Sequence, residues 1–125
     1  MDGIGEKVMK DKVNILGTEY KIEICDANTP DFENRRGWCD WQQKKIAIGD
    51  PKTMEKWKDE PEDSIEYKIK EIKRHEIIHA FLYESGLHAN SASYYEQWAL
   101  NEEMIDWFAI QSPKIFKAFK DVGCL

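Results

Sequence analysis

Cysteine is scarce in this chain. The sequence has three cysteines, Cys25, Cys39 and Cys124, and no two of them are spaced as C-x-x-C. A disulfide framework needs an even number of cysteines, and a cysteine-based zinc knuckle needs the C-x-x-C pair, so the sequence indicates neither. We therefore expect free, packed thiols in a protein of a reducing compartment.

Long apolar runs and an excess of basic residues are also missing. No apolar stretch approaches the ~20 residues that a membrane-spanning helix needs, and the charged segment 1–12 does not resemble a secretory signal. The net charge of −6 disfavours a nucleic-acid partner, because phosphate binding requires a basic surface. We expect a cytoplasmic protein without a membrane or nucleic-acid partner.

The chain does have enough apolar side chain for one packed core. Hydrophobic residues make up 42% of its 125 residues, and aromatic residues make up 12%. This length and composition predict a single domain over residues 1–125.

Strand patterns occupy the first half of the chain and helix patterns the second. The predicted strands are Val13–Leu16 and Tyr20–Cys25, which flank a turn at Gly17 and Thr18, and the pair Trp38–Trp41 and Lys45–Ile48. The predicted helices run from Asp63 or Ser64 to Ser85, over Tyr94–Ile110, and from Pro113 to near Gly123. Strands followed by helices indicate an α+β fold.

A metal-binding pattern lies within the first predicted helix. Residues 75–79 read His-Glu-Ile-Ile-His, and positions i and i+4 share one helix face, so His75 and His79 can bind one ion. Zinc binds neutral imidazole, and a catalytic zinc site keeps one position for water. Glu76 is the candidate catalytic base, which takes a proton from that water and passes it to the leaving amine. Two unliganded histidines are disfavoured here, because the surrounding residues are apolar.

A catalytic zinc site needs a third protein ligand, and two residues could provide it. His88 is the only other histidine, but it lies just past the predicted helix end, where a solvated side chain is common. Glu102 shares a predicted helix face with Asp106, and Tyr94–Ile110 contains no Lys or Arg that could neutralise either carboxylate. The residues favour Glu102, with His88 and a plain acidic surface as the alternatives.

Together the motifs resemble a known family. His-Glu-x-x-His at 75–79 followed by Asn-Glu-x-x-x-Asp at 101–106 is similar to the gluzincin pattern of thermolysin-like zinc metallopeptidases. The resemblance implies that Glu102 is the third zinc ligand, that Asp106 orients His75, and that Asn101 lies near His79. It covers about residues 13–110 and implies a zincin-like fold, with a small, mostly antiparallel sheet packed on the zinc-binding helix and the C-terminal helices.

The short chain is more similar to the minimal gluzincins and to the ImmA/IrrE-type peptidases of phages and mobile elements. The phrases at 37–40, 46–48 and 75–81 carry this second resemblance, which implies a phage-associated protein. One departure concerns the histidine that stabilises the oxyanion in thermolysin-like enzymes, because we expect no counterpart here of the C-terminal domain that supplies it there. His88, Tyr94 and Tyr95 are the candidates to replace it.

Two functions are compatible with these observations. The first is a zinc endopeptidase, and the second is a catalytically weak zinc-binding regulatory or interaction protein of a phage or mobile element. Glu76 favours the first, because a purely structural site does not need a base. We further predict that Lys45–Ile48 forms the rim of the cleft and that a protein or peptide substrate binds there in extended form, as an added strand.

Overall fold

The computed structural model describes residues 10–33, 35–91 and 97–125. In this part of the chain the strands are β1 (Lys10–Ile15), β2 (Thr18–Cys25), β3 (Gly37–Asp40) and β4 (Lys45–Gly49), and the α-helices are α1 (Glu62–Glu84), α2 (Leu87–Ser91) and α3 (Glu102–Asp121). Short 3-10 turns lie at Pro51–Thr53 and Trp98–Leu100. A sheet followed by helices confirms the predicted α+β class.

The strands form one sheet in the order β1-β2-β4-β3. β1 pairs with β2 and β3 pairs with β4 in antiparallel fashion, while β2 and β4 are parallel neighbours in the middle. The predicted first hairpin turns at Leu16 and Gly17, both with positive φ. Positive φ at both central residues is the geometry of a tight hairpin turn whose twist matches that of the strands.

The prediction that Lys45–Ile48 is an exposed rim strand is wrong. β4 pairs with β2 on one side and with β3 on the other, so it has no free edge. Its residues Ile46, Ala47 and Ile48 are all buried, as expected for a strand covered on both faces. The free edge on this side of the sheet belongs to β3.

The predicted boundaries of the C-terminal helices are also wrong. Residues 92–96, which include Tyr94 and Tyr95, lie outside the described residues, and α3 begins only at Glu102. It then continues through Pro113, which was predicted to start a separate helix. Proline has no N–H for the carbonyl four residues earlier, and that carbonyl, on Ala109, instead accepts a hydrogen bond from Nε of Arg74 in α1. A bond between helices thus replaces the one lost within α3.

Helix α1 is the central element, although its start differs from the prediction. It is preceded by Pro61 and not capped by Asp63 or Ser64. The acidic residues of its first turn, Glu62 and Asp63, stabilise the helix because they lie at the positive end of its dipole. It ends as predicted before Gly86, whose φ is positive. No helix in the described part of the chain is long and apolar enough to cross a membrane.

The core has two parts, one on each side of α1. Apolar residues of the sheet and of α1 form the larger cluster, which comprises Ile15, Tyr20, Ile22, Ile24, Ile46, Ile48, Ile72 and Ala80. A smaller cluster of Leu82, Ala99 and Ile105 joins α1 to the segment that leads into α3. The sheet and α3 are thereby both fixed to the helix that carries the His-Glu-x-x-His residues.

A polar network connects the C-terminal end of α1 to the sheet. The Glu84 carboxylate accepts hydrogen bonds from the Tyr20 hydroxyl and the Lys44 ammonium, both at 2.7 Å, and from the Thr18 hydroxyl at 3.3 Å. The hydrogen bonds from Lys44 and Tyr20 lower the pKa of Glu84. Burial, with Glu84 as neighbour, raises the pKa of Tyr20. One carboxylate therefore connects both hairpins to the helix.

We expect Glu84→Ala to lower the free energy of unfolding by about 1–3 kcal/mol, because it leaves the buried Tyr20 hydroxyl and Lys44 without their acceptor. Chemical denaturation measures this change. Asp121→Ala is the control, since it removes an exposed ion pair with Lys117 and should cost no more than ~0.5 kcal/mol. Equal losses in the two variants would show that the Glu84 network does not stabilise the fold.

Candidate metal centre

Helix α1 presents the two motif histidines one turn apart. The side chains of His75 and His79 are mostly buried, with 15% and 12% of their surface exposed. Glu102, in the first turn of α3, lies opposite them, and its side chain is 65% exposed. The predicted pairing of α1 with Glu102 is present, but this carboxylate is more exposed than the apolar helix face suggested.

Three ligand atoms converge between the helices. Nε2 of His75 and Nε2 of His79 are 3.2 Å apart, and Oε1 of Glu102 lies 3.1 Å from the first and 3.3 Å from the second. These residues form a group that could hold a metal ion. Atoms bound tetrahedrally to one zinc at ~2.0–2.1 Å would be separated by ~3.3 Å, which is close to the observed spacing.

The convergence of these atoms needs a proton or a metal ion between them. A neutral imidazole with its proton on Nδ1 offers a lone pair at Nε2, and a carboxylate oxygen is an acceptor only. Three such atoms facing one another repel unless a proton or a metal ion lies among them. The donor set therefore fits a cation, and imidazole with carboxylate suits zinc.

Asp106 supports this arrangement from behind His75. Its Oδ1 lies 2.7 Å from Nδ1 of His75, although the N–H direction is not in line with the oxygen. A carboxylate at this position favours the proton on Nδ1, which leaves Nε2 free for a metal ion. Arg36 also lies near this oxygen, with Nη2 at 3.9 Å from Oδ1.

Glu76 faces the sheet and not α3. Its side chain is buried, and a Cβ atom added to Gly37 of β3 would lie 3.2 Å from Oε2 of Glu76 and 2.9 Å from Cγ2 of Ile72. The absence of a side chain at Gly37 thus allows the edge strand to pass directly beside the candidate base. This requirement for glycine follows from the strand packing and was not visible in the sequence.

The charges of the centre shift its pKa values in different directions. Burial raises the pKa of Glu76, which makes the carboxylate a stronger proton acceptor. Burial alone would lower the pKa of His75, but Glu102, Glu76 and Asp106 outweigh it and the pKa rises. Hydrogen bonds from His75 and His79 hold the pKa of Glu102 far below its usual value. Glu102 is therefore fully ionised, as a metal ligand must be.

A cleft of about 470 Å³ opens over these residues. The segment 35–41, which comprises β3 and its flanks, forms one wall, and α1 and α3 form the other. Burial raises the pKa of the Cys39 thiol in this wall to about 12, so the thiol is neutral and a poor metal ligand. It packs against the core, in agreement with the expectation of a packed thiol.

Other residues singled out in the sequence lie at some distance from the ligand atoms or have a different role. The Asn101 side chain accepts a hydrogen bond from the Met104 amide and so caps α3; a contact with His79 stays a prediction. His88 packs against Trp41 and Tyr83, with ring centroids at 4.2 and 5.5 Å, and is not among the converging ligands.

Three arginines that contribute to the site were missed in the sequence. Arg74 of α1 holds α3 through the Ala109 carbonyl, one turn after Asp106. The loop arginines Arg35 and Arg36 line the cleft, and no motif marked them. Pro113 leaves the Ala109 carbonyl without its N–H donor in the helix, and this was the one signal in the sequence for the Arg74 contact.

Comparisons of the chain with family models, with curated proteins and with solved structures found no match. The role of the centre is therefore inferred from its own geometry and chemistry.

We expect Glu102→Ala to lose stoichiometric zinc, because two imidazoles alone remain, whereas Glu103→Ala on the same helix turn should retain it. Asp106→Ala should bind zinc about 10–100-fold more weakly through loss of the support behind His75. Elemental analysis and a competitive zinc titration measure both effects. His88→Ala tests the alternative ligand. If this variant loses the metal while Glu102→Ala retains it, His88 and not Glu102 is the third ligand.

Proposed function

We propose that this protein is a zinc-dependent metalloendopeptidase with a zincin-like fold, as its resemblance to the gluzincins implies. His75, His79 and Glu102 hold the zinc, and Glu76 is the catalytic base. The observation that carries the proposal is the convergence of three ligand atoms at 3.1–3.3 Å beside a buried carboxylate that is not one of them. A structural site would have no use for that carboxylate.

Bound zinc supplies Lewis acidity, which lowers the pKa of water and polarises a carbonyl. Glu76 performs the proton transfers, because its buried position and raised pKa suit a group that accepts a proton from the attacking water and returns it to the leaving amine. Asp106 lies 2.7 Å from Nδ1 of His75 and favours the proton there, and Arg36 lies 3.9 Å from the same oxygen. Each step uses a side chain that the fold has already positioned.

The substrate binds along β3 and not along β4. The amide of Gly49 donates to the carbonyl of Arg36 at 2.8 Å, so these two residues form a hydrogen-bonded pair of the antiparallel ladder. Hydrogen-bonded and non-bonded pairs alternate, which directs the peptide groups of Trp38 toward β4 and those of Gly37 and Cys39 toward the free edge. An extended peptide can pair with that edge as an added strand, directly beside Glu76.

Replacement of the base tests the chemistry. We expect Glu76→Gln to bind zinc normally and to lose about 10²–10⁴-fold in kcat/KM, because the amide cannot accept the proton. Digestion of a peptide library, followed by mass spectrometry with and without a chelator, measures the activity. Glu66→Gln, an exposed change on the same helix, is the control.

Two outcomes would contradict the proposal. Chelator-sensitive cleavage that is unchanged in Glu76→Gln would exclude Glu76 as the base. A zinc-loaded wild type that cleaves nothing would favour the regulatory alternative.

Amide-to-ester replacement tests the binding mode. Removal of the Cys39 N–H, which faces the free edge, should raise KM about fivefold through loss of one hydrogen bond to the substrate. Removal of the Trp38 N–H is the control, because this group bonds to β4 and its loss should lower stability without a specific effect on KM. A kinetically silent change at Cys39 would mean that the peptide does not pair with β3.

A further inference from the structure

An arginine is fixed at the start of the edge strand. The Arg35 side chain donates from Nε to the Phe32 carbonyl at 3.3 Å and from Nη2 to the Asp31 carbonyl at 2.8 Å. Phe32 is buried and anchors this loop. The guanidinium also lies over the Trp38 ring, with Cζ at 5.9 Å from the ring centroid. These contacts hold one edge of the guanidinium against the protein at the mouth of the cleft.

The other edge of this guanidinium is available to a ligand. An arginine has five N–H donors, and the two bonds to carbonyls leave the Nη1 end without a partner among the described residues. No carboxylate of residues 10–33, 35–91 or 97–125 forms an ion pair with Arg35, whereas Arg36 pairs with Asp106. The two Nη groups at this end have the spacing that binds both oxygens of a carboxylate.

The charges of the cleft favour an anion at this position. Glu76, Glu102 and Asp106 bring three negative charges, which two charges of a bound zinc and the charge of Arg36 offset. Arg35 adds one positive charge beyond these, in a chain whose net charge is −6. It lies near enough to Glu76 to counteract part of the rise in the pKa of that carboxyl, but it forms no ion pair with it. A local positive charge at the rim of an acidic protein selects an anionic group of the ligand.

We propose that Arg35 binds a carboxylate of the peptide substrate, an inference that rests on the proposed peptidase function. β3 runs from Arg35 toward Trp41, so a peptide that pairs with it in antiparallel direction places its C-terminal part beside Arg35. Antiparallel pairing is the more stable of the two directions. The group bound is therefore an Asp or Glu side chain on the C-terminal side of the scissile bond, or the terminal carboxylate of the substrate.

Binding to a variant that cannot turn over tests this assignment independently of cleavage. The protein is zinc-loaded Glu76→Gln, and the probes are alanine-rich heptapeptides blocked at both ends, with one Glu or one Gln moved through each position. A second set compares a free C-terminal carboxylate with the C-terminal amide. We expect the carboxylate to improve the dissociation constant about tenfold in one position of one set, and the set that responds identifies the source of the carboxylate.

Substitutions at Arg35 connect the preference to this side chain. Arg35→Ala should abolish the difference between Glu and Gln peptides, and Arg35→Glu should reverse it in favour of a Lys peptide at the same position. Lys70→Ala, which removes the same charge from an exposed site of α1 outside the cleft, should keep the preference. Zinc content and circular dichroism confirm that each variant is folded.

Two results would overturn the inference. The first is that zinc-loaded Glu76→Gln protein with Arg35 unchanged binds acidic and neutral peptides with equal affinity at all positions and at the terminus. The second is a preference that survives both Arg35 substitutions. If the carboxylate preference is present but the wild type cleaves no peptide, the carboxylate site is correct and the peptidase function is wrong.

Discussion

The requirement that Glu102 reach both histidines of α1 constrains the rest of the structure. Two imidazole nitrogens and a carboxylate oxygen lie within 3.3 Å of one another, and this geometry tolerates little displacement of α3 relative to α1. Two separate contacts hold the two helices in this relation, namely the apolar cluster around Ile105 and the bond from Arg74 to α3. The Asn101 cap fixes where α3 begins.

The sheet places its edge strand β3 beside the same centre. Glu76 points at β3, while His75 and His79 converge with Glu102 of α3; the proposed function requires a base that lies beside the metal centre and faces the substrate. Only a glycine at position 37 allows the strand to approach so closely. β4, whose residues Ile46, Ala47 and Ile48 are buried, lies between β2 and β3, and the more polar β3 is left at the edge. Burial of apolar surface thus determines which strand has a free edge.

The sequence predicted what depends on local pattern and spacing. The 3.6-residue repeat placed His75 and His79 on one face, and strand patterns beside turn residues located the strands. It did not predict the strand order, because the pairing of β2 with β4 depends on packing between distant segments. It misplaced the start of α3 and divided the helix at Pro113, because the Arg74 bond that compensates the proline comes from another helix. Arg35 carried no signal, since its position in the cleft depends on the turn around Phe32.

The proline within α3 has a consequence for the rotational setting of that helix. Each residue of an α-helix advances the chain by ~100° around its axis, so the carbonyl that Pro113 releases points in one direction only. Arg74 can donate a hydrogen bond to this carbonyl in only one orientation of α3, and in that orientation Glu102 and Asp106 face His75. A rotation of α3 by one residue would leave a carbonyl unpaired and carry both carboxylates away from the histidines at once. Pro113, a residue type that usually breaks helices, thereby makes one rotational alignment of α3 with α1 more favourable than the adjacent alignments.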